Sequence, residues 1–148
     1  MEVKSFTISF ETKKNFQFFD LTKKLERLVK KSKIKNGILN IQTLHTTTAL
    51  LLNEKENLLL KDFKETLERF FPRDKKYNHD DFSKRKQNIC PGECANGHAH
   101  CKAIFLLPSL TLNIVDSKIQ FGKWQSVLFL ELDGPRKERK ISILILGQ

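Results

Sequence analysis

Phe6, Ile8 and Phe10 alternate with polar residues across residues 3–10, the period of two that turns one face of a strand toward a core. After Asp20 the period changes. Leu21, Leu25, Leu28 and Val29 fall on one helical stripe, with Asp20 placed to cap it and Asn36-Gly37 to end it, so a first helix is predicted there. The segment "GILNIQTLHTTTALLLN" is rich in branched residues and lacks a helical stripe. It predicts one long strand, or two with a bend near His45. Helical spacing returns with Leu59, Phe63, Leu67 and Phe70, after Asn53 and before Pro72, which stops it. Residues 72–95 are polar and broken by Pro91 and Gly92, a long connection of the kind that is usually functional or disordered. "HAHCKAIFLL" reads as a short helix ending before Pro108, although its period is ambiguous. Three strands follow in "SLTLNIVD", "KWQSVLFLELD" and "RKISILILG", with turns at Asp116-Ser117 and Asp133-Gly134-Pro135. Strands dominate and the helices enter as separate insertions. The pattern predicts an antiparallel α+β fold rather than alternating βαβ units.

A chain of 148 residues fits one domain spanning 1–148. With 39% apolar and 30% charged residues, it has the composition of a soluble globular protein and not that of a disordered polymer. No run reaches the roughly 18 apolar residues of a membrane span, so no membrane partner is expected. The opening "MEVKSFTISF" alternates and has no solid hydrophobic block of the secretory kind. A cytoplasmic location is therefore the expectation. Cys90, Cys94 and Cys101 are an odd number and lie close together, which does not suit a secreted disulfide framework. The net charge of +10 invites a nucleic-acid reading. Yet the lysines are scattered, alternate with acids in three of four basic segments, and have no stacking aromatics beside them. A solvated basic surface is the expectation, and nucleic acid is not the expected partner.

Histidine is the first candidate for chemistry, because its imidazole titrates near neutrality and ligates metals. His45 ends an apolar strand and could be a packed polar residue or a functional one. His79 sits in "YNHDD", beside acids that could orient its ring. The stretch "GECANGHAHCKA" holds Cys94, His98, His100 and Cys101, enough soft donors for tetrahedral zinc, but in a spacing that matches no zinc finger. Asn53 and Glu54 read as a helix cap and a first-turn acid. Trp124, with Gln125 beside it at a strand start, reads as core, and Ser109 reads as a turn residue after Pro108. No Gly-rich phosphate loop is present.

The segments "LHTTTALLLNE", "YNHDD", "ANGHAHCKA", "PSLTLNIVD" and "QFGKWQSVLFLELDGPRKERK", in this order, resemble the YjbQ-like family, often called secondary thiamine-phosphate synthases. The resemblance implies a sandwich-like antiparallel β core with flanking helices, assembled as a homotrimer. It also implies an activity that joins hydroxymethylpyrimidine diphosphate to thiazole phosphate. The family's recurring histidines carry over to His45, His79 and His100, whereas His98 occurs in only part of the family. Its Asn-Glu pair carries over to Asn53 and Glu54, and its later positions to Lys102, Ser109, Gly122, Trp124 and Gln125. Two positions depart from the family pattern: Lys123, where a Thr is frequent, and Leu107, where a Gly is frequent.

These expectations combine into one site. His45, His79 and His100 would hold a divalent metal, zinc favoured, with magnesium accompanying the synthase activity. Glu54 would orient a ligand or act as a base, and Lys102 would meet the leaving pyrophosphate. Asn53, Ser109, Trp124 and Gln125 would contact a small phosphorylated substrate. A metal-dependent hydrolase fits the same ligands, and so does a binding protein without turnover. Whether Cys90, Cys94, Cys101 and His98 ligate anything stays open at this point.

Overall fold

A computed structural model describes every residue from Met1 to Gln148. Its elements are β1 (Glu2–Thr12), β2 (Gln17–Asp20), α1 (Thr22–Ser32), β3 (Gly37–Thr43), β4 (Thr48–Glu54), α2 (Asn57–Phe70), α3 (Gly97–Ala103), β5 (Ser109–Val115), β6 (Lys118–Ile119), β7 (Gln125–Glu131) and β8 (Arg136–Gly147). The fold is α+β. All the strand pairs are antiparallel and form two sheets, one in the order β1-β8-β3-β5-β6 and one in the order β2-β7-β4.

The alternation read from the sequence becomes the inner face of the larger sheet. Leu39 and Ile41, Leu110, Leu112 and Ile114, and Ile141, Ile143 and Ile145 are buried at every second position. They share one 17-residue core with Val127 and Phe129 of β7, Leu50 of β4, and Leu25 and Val29 of α1. Fully burying a side chain of this size contributes about 1.5–3 kcal/mol. The smaller sheet is covered on both faces. Ala49, Leu130 and Leu132 pack with Ala99 of α3 on the side away from the main core, joined there by Leu67 of α2.

The bend expected near His45 is a change of sheet. β3 pairs with β5 and β8, whereas β4 pairs with β7, so residues 44–47 cross from one sheet to the other. Four helix boundaries differ from the expectation, one of them the end of α3, which stops at Ala103 well short of Pro108. Asp20 ends β2 and accepts from the Thr22 N–H, but Leu21 holds the cap position of α1. That helix ends at Lys33, which takes the left-handed conformation, before Asn36-Gly37 is reached. Asn53 does not cap α2. It lies in β4, and the Glu56 carboxylate accepts from the Leu58 and Leu59 N–H groups instead, both at 2.8 Å. β2 and β6 have four and two residues, too few for a period to declare itself.

Candidate functional site

Five segments meet at one end of the sandwich: the β3–β4 crossover, a 3-10 turn at Asn78–Asp80, the loop of residues 85–93, α3, and the β7–β8 connection. The turn carries His79 and α3 carries His100. Their rings meet edge to face with centroids 4.6 Å apart. Both line a cleft of about 550 Å³, walled also by Thr46, Arg85, Glu93, Asn96, Asp133 and Arg136. His45 is absent from its walls. It faces a smaller cleft of about 350 Å³ that it shares with Thr46 and His100, so His100 stands between the two spaces.

The local sequence explains how these groups are held. Asp80 Oδ1 accepts from the Asn96 and Gly97 N–H groups at 2.9 and 2.8 Å, which ties the 3-10 turn to the start of α3. Only a glycine fits there, because a Cβ on residue 97 would lie 2.5 Å from Tyr77 Cβ. The Asn96 amide donates to Asp133 Oδ2 at 2.9 Å, and Arg136 forms an ion pair with the same carboxylate. Beneath them, buried Arg139 grips buried Glu131 with two bonds of 2.6 Å and reaches Thr47 Oγ1 at 3.1 Å. Thr12 of β1 also donates to Oε2 of the same carboxylate, at 2.9 Å. In the long loop, Arg85 grips Glu93 at 2.7 and 3.3 Å, and this fork holds the Glu93 carboxyl below the usual carboxylate range.

Each guanidinium of the cleft thus has a carboxylate partner, so the site is close to electrically balanced. Two buried polar atoms have no partner: His79 Nε2 and Asn96 Oδ1. The nearest carboxylate oxygen to His79 Nε2, on Glu93, is 3.8 Å away, beyond hydrogen-bond reach. Burial lowers the pKa of His100, with help from the neighbouring His79. Burial also lowers that of His45, with help from Arg139. Both rings are therefore biased toward the neutral form that ligates metals or accepts protons. His45 Nε2 accepts from the Lys140 N–H at 2.7 Å, which places its own proton on Nδ1.

As a ligand set, His79 and His100 fit together and His45 fits less well, because its Nε2 is already engaged. No group of three or more His, Cys, Asp or Glu side chains gathers closely enough to hold a metal. The other expected residues divide by position. Asn53 and Glu54 pair with Ser126 and Gln125 at the end of the smaller sheet opposite to Thr48 and Glu131. Asn53, Glu54, Trp124 and Gln125 therefore lie a strand's length from the histidine cleft. Trp124 is not core: it is 63% exposed, with Lys123 over its ring. Gln125 bonds locally to the Gly122 N–H. Ser109 starts β5, next to Pro108, which lines the smaller cleft. Lys102 is fully buried and pairs with Glu68 of α2 at 2.9 Å. It lies two residues from His100 on a helix, hence about 200° around the axis, so it cannot reach the cleft. Cys90 lines the larger cleft, while Cys94 is exposed and Cys101 half-buried; all three are free thiols.

The sequence reading missed Arg85, Glu93, Asn96, Glu131, Asp133, Arg136 and Arg139. For Arg139 a signal existed, since it continues the inward series Ile145, Ile143, Ile141 of β8. A charge at an inward position of an alternating strand needs a buried partner, and Glu131, directly after the apolar run Val127–Leu130, was the matching anomaly. Arg85 and Glu93 had no such signal, because their loop has no period.

A family model described as UPF0047 protein YjbQ-like matches residues 6–148. The UPF0047 protein of Methanothermobacter thermautotrophicus is 32% identical over 148 residues, covering 100% of this chain and 95% of that protein. That of Archaeoglobus fulgidus is 37% identical over 134 residues, covering 90% and 95%. Among solved structures, a YbjQ-like protein of unknown function from Sulfolobus solfataricus P2 superposes with a TM-score of 0.88 at 33% identity, covering 99% of each chain. A hypothetical protein from Aeropyrum pernix K1 superposes with a TM-score of 0.82 at 31% identity, covering 100% of each.

Proposed function

Because the chain belongs to the YjbQ-like UPF0047 family, we propose that the cleft around His79 and His100 is its working site, taking a divalent metal and a small phosphorylated ligand. Zinc is favoured by the imidazole donors. The main support is His79 Nε2, buried without a partner at the wall of an open cleft. Leaving such an atom unsatisfied costs about 1–3 kcal/mol, which a bound ion or ligand would relieve. His79 and His100 would be the metal's ligands, and His45 would join them on releasing the Lys140 amide. The metal would supply Lewis-acid polarisation. Asn96 Oδ1, the second orphan, would accept a hydrogen bond from the ligand and orient it.

The specific reaction implied by the resemblance is thiamine-phosphate synthesis. The thiazole nitrogen's electron pair forms a carbon–nitrogen bond to the pyrimidine methylene, while the carbon–oxygen bond breaks and its pair leaves with pyrophosphate. Magnesium would accompany that diphosphate, since it prefers oxygen ligands. A hydrolytic reading is favoured by two observations: Lys102 is turned away from the cleft, and each cleft guanidinium is already paired. The free thiols support a cytoplasmic setting. The exposed run Ile104, Phe105 and Leu107, beside the smaller cleft, supports self-association as a trimer.

Two measurements test the site. Purified protein is expected to retain a transition metal, and less than about one-tenth equivalent would count against the metal. Incubation with both thiamine precursors should give thiamine phosphate well above a His100→Ala control. Equal traces in both would remove the synthase and leave the hydrolase or a binding role.

A further inference from the structure

Behind α3, on the side away from His100, lies another cavity of about 380 Å³, bounded by α2, the β1–β2 loop and the segment after α2. Two polar side chains of α3 are buried beside it. Lys102 is fully buried and His98 is 4% exposed, with Lys102 Nζ 2.9 Å from Glu68 and 3.2 Å from His98 Nδ1. An ammonium can only donate, so His98 Nδ1 accepts and the ring's own proton sits on Nε2. Lys102 thereby answers the Glu68 carboxylate from within the protein.

The rim is different. Lys14, Lys64 and Arg73 come from three separate segments and line the same cavity. None of them is within ion-pair distance of a carboxylate. Arg73 touches only the neutral side-chain amide of Asn15 as a polar partner. Cations gathered around one concavity repel one another, and an anion placed among them removes that repulsion. Their charge exceeds that of a single carboxylate. Guanidinium and ammonium groups approaching from several directions match the tetrahedral oxygens of a phosphate.

We propose that this cavity binds the phosphate group of a small ligand carrying at least two negative charges. Lys14, Lys64 and Arg73 are its counter-charges, and the neutral His98 ring donates to it from Nε2. The volume suits a compact phosphorylated molecule. The site is independent of the His79–His100 cleft, because α3 separates them and presents different residues to each.

Calorimetric titration of the full chain with inorganic phosphate and with pyrophosphate tests the assignment. Saturable binding is expected, weakened at least about tenfold in a Lys64→Ala, Arg73→Ala double variant, whose two lost residues each make a charge-assisted contact. Both residues are exposed, so the fold should persist. One control separates the site from its alternative. A Lys23→Ala, Arg27→Ala double variant, in the basic groove between α1 and β6, should change affinity less than about twofold if binding is not mere attraction to a basic chain. Tighter binding of pyrophosphate assigns a diphosphate ligand, and tighter binding of phosphate a monophosphate. The proposal is overturned by no saturable binding of either anion, by unchanged affinity in the Lys64→Ala, Arg73→Ala variant, or by equal weakening in the two double variants.

Discussion

Arg139 and Glu131 show how single residues carry this site. Their bidentate pair is buried on both sides and is completed by Thr12 and Thr47. Glu131→Ala would leave a guanidinium buried without counter-charge, and a loss of about 3–5 kcal/mol in urea unfolding is expected. Arg139→Lys should be nearly as damaging, since an ammonium cannot reproduce the fork. Gly97→Ala tests the junction with the 3-10 turn. The added methyl meets Tyr77 Cβ, and overpacking of this kind costs about 1–3 kcal/mol. Histidine titration gives a third expectation. His45, His98 and His100 all have folded-state pKa values lowered, by burial first and then by a neighbouring group: Arg139, Lys102 and His79 respectively. As pH falls, the unfolded chain therefore takes up protons before the folded one. The stability tied to the neutral rings is complete above about pH 6.5 and is lost as pH drops through the depressed values. Chemical unfolding at neutral and mildly acidic pH should show this loss, and His100→Asn should reduce it.

At the scale of elements, the sequence was most legible where one face is buried and the other is not. The period of two in β5 and β8 and the helical stripe of α1 describe half-buried surfaces, and each appears as expected. Where the rule failed, something local prevailed. Trp124 precedes a strand whose inner positions begin only at Val127, so its bulk found no core to enter. Asn53 has the chemistry of a cap, but its strand pairs with β7 up to Glu54. Glu56 took the cap instead, and Glu56→Ala should lower the melting temperature of the protein, read by thermal unfolding. For the candidate site, two of three expected histidines meet, because each sits on a short element pinned by Asp80. The guanidinium and carboxylate pairs remained hidden, since ion pairs between distant segments leave no periodic trace. Lys102 was misplaced for a geometric reason: adjacency in sequence to His100 becomes opposition on a helix.

Across the whole molecule, exposed apolar residues are spread over many segments, and one run of them, Ile104, Phe105 and Leu107, lies beside the smaller cleft. Ile104 is 79% and Phe105 73% exposed. If a second and third copy cover this run, Phe105→Asp should convert a sedimenting trimer to monomer while leaving the far-UV circular dichroism unchanged. A wild-type chain that already sediments as a monomer would end the trimer proposal. The bond from the Lys140 N–H to His45 Nε2 joins the smaller cleft to the long strand β8. A proton arriving on that nitrogen turns the acceptor into a donor, and two N–H groups then face each other. The Lys140 amide is thus a spectator that reads the charge of His45: its nitrogen and proton resonances should titrate with the ring, reporting occupancy of the cleft from within the sheet without any label at the site.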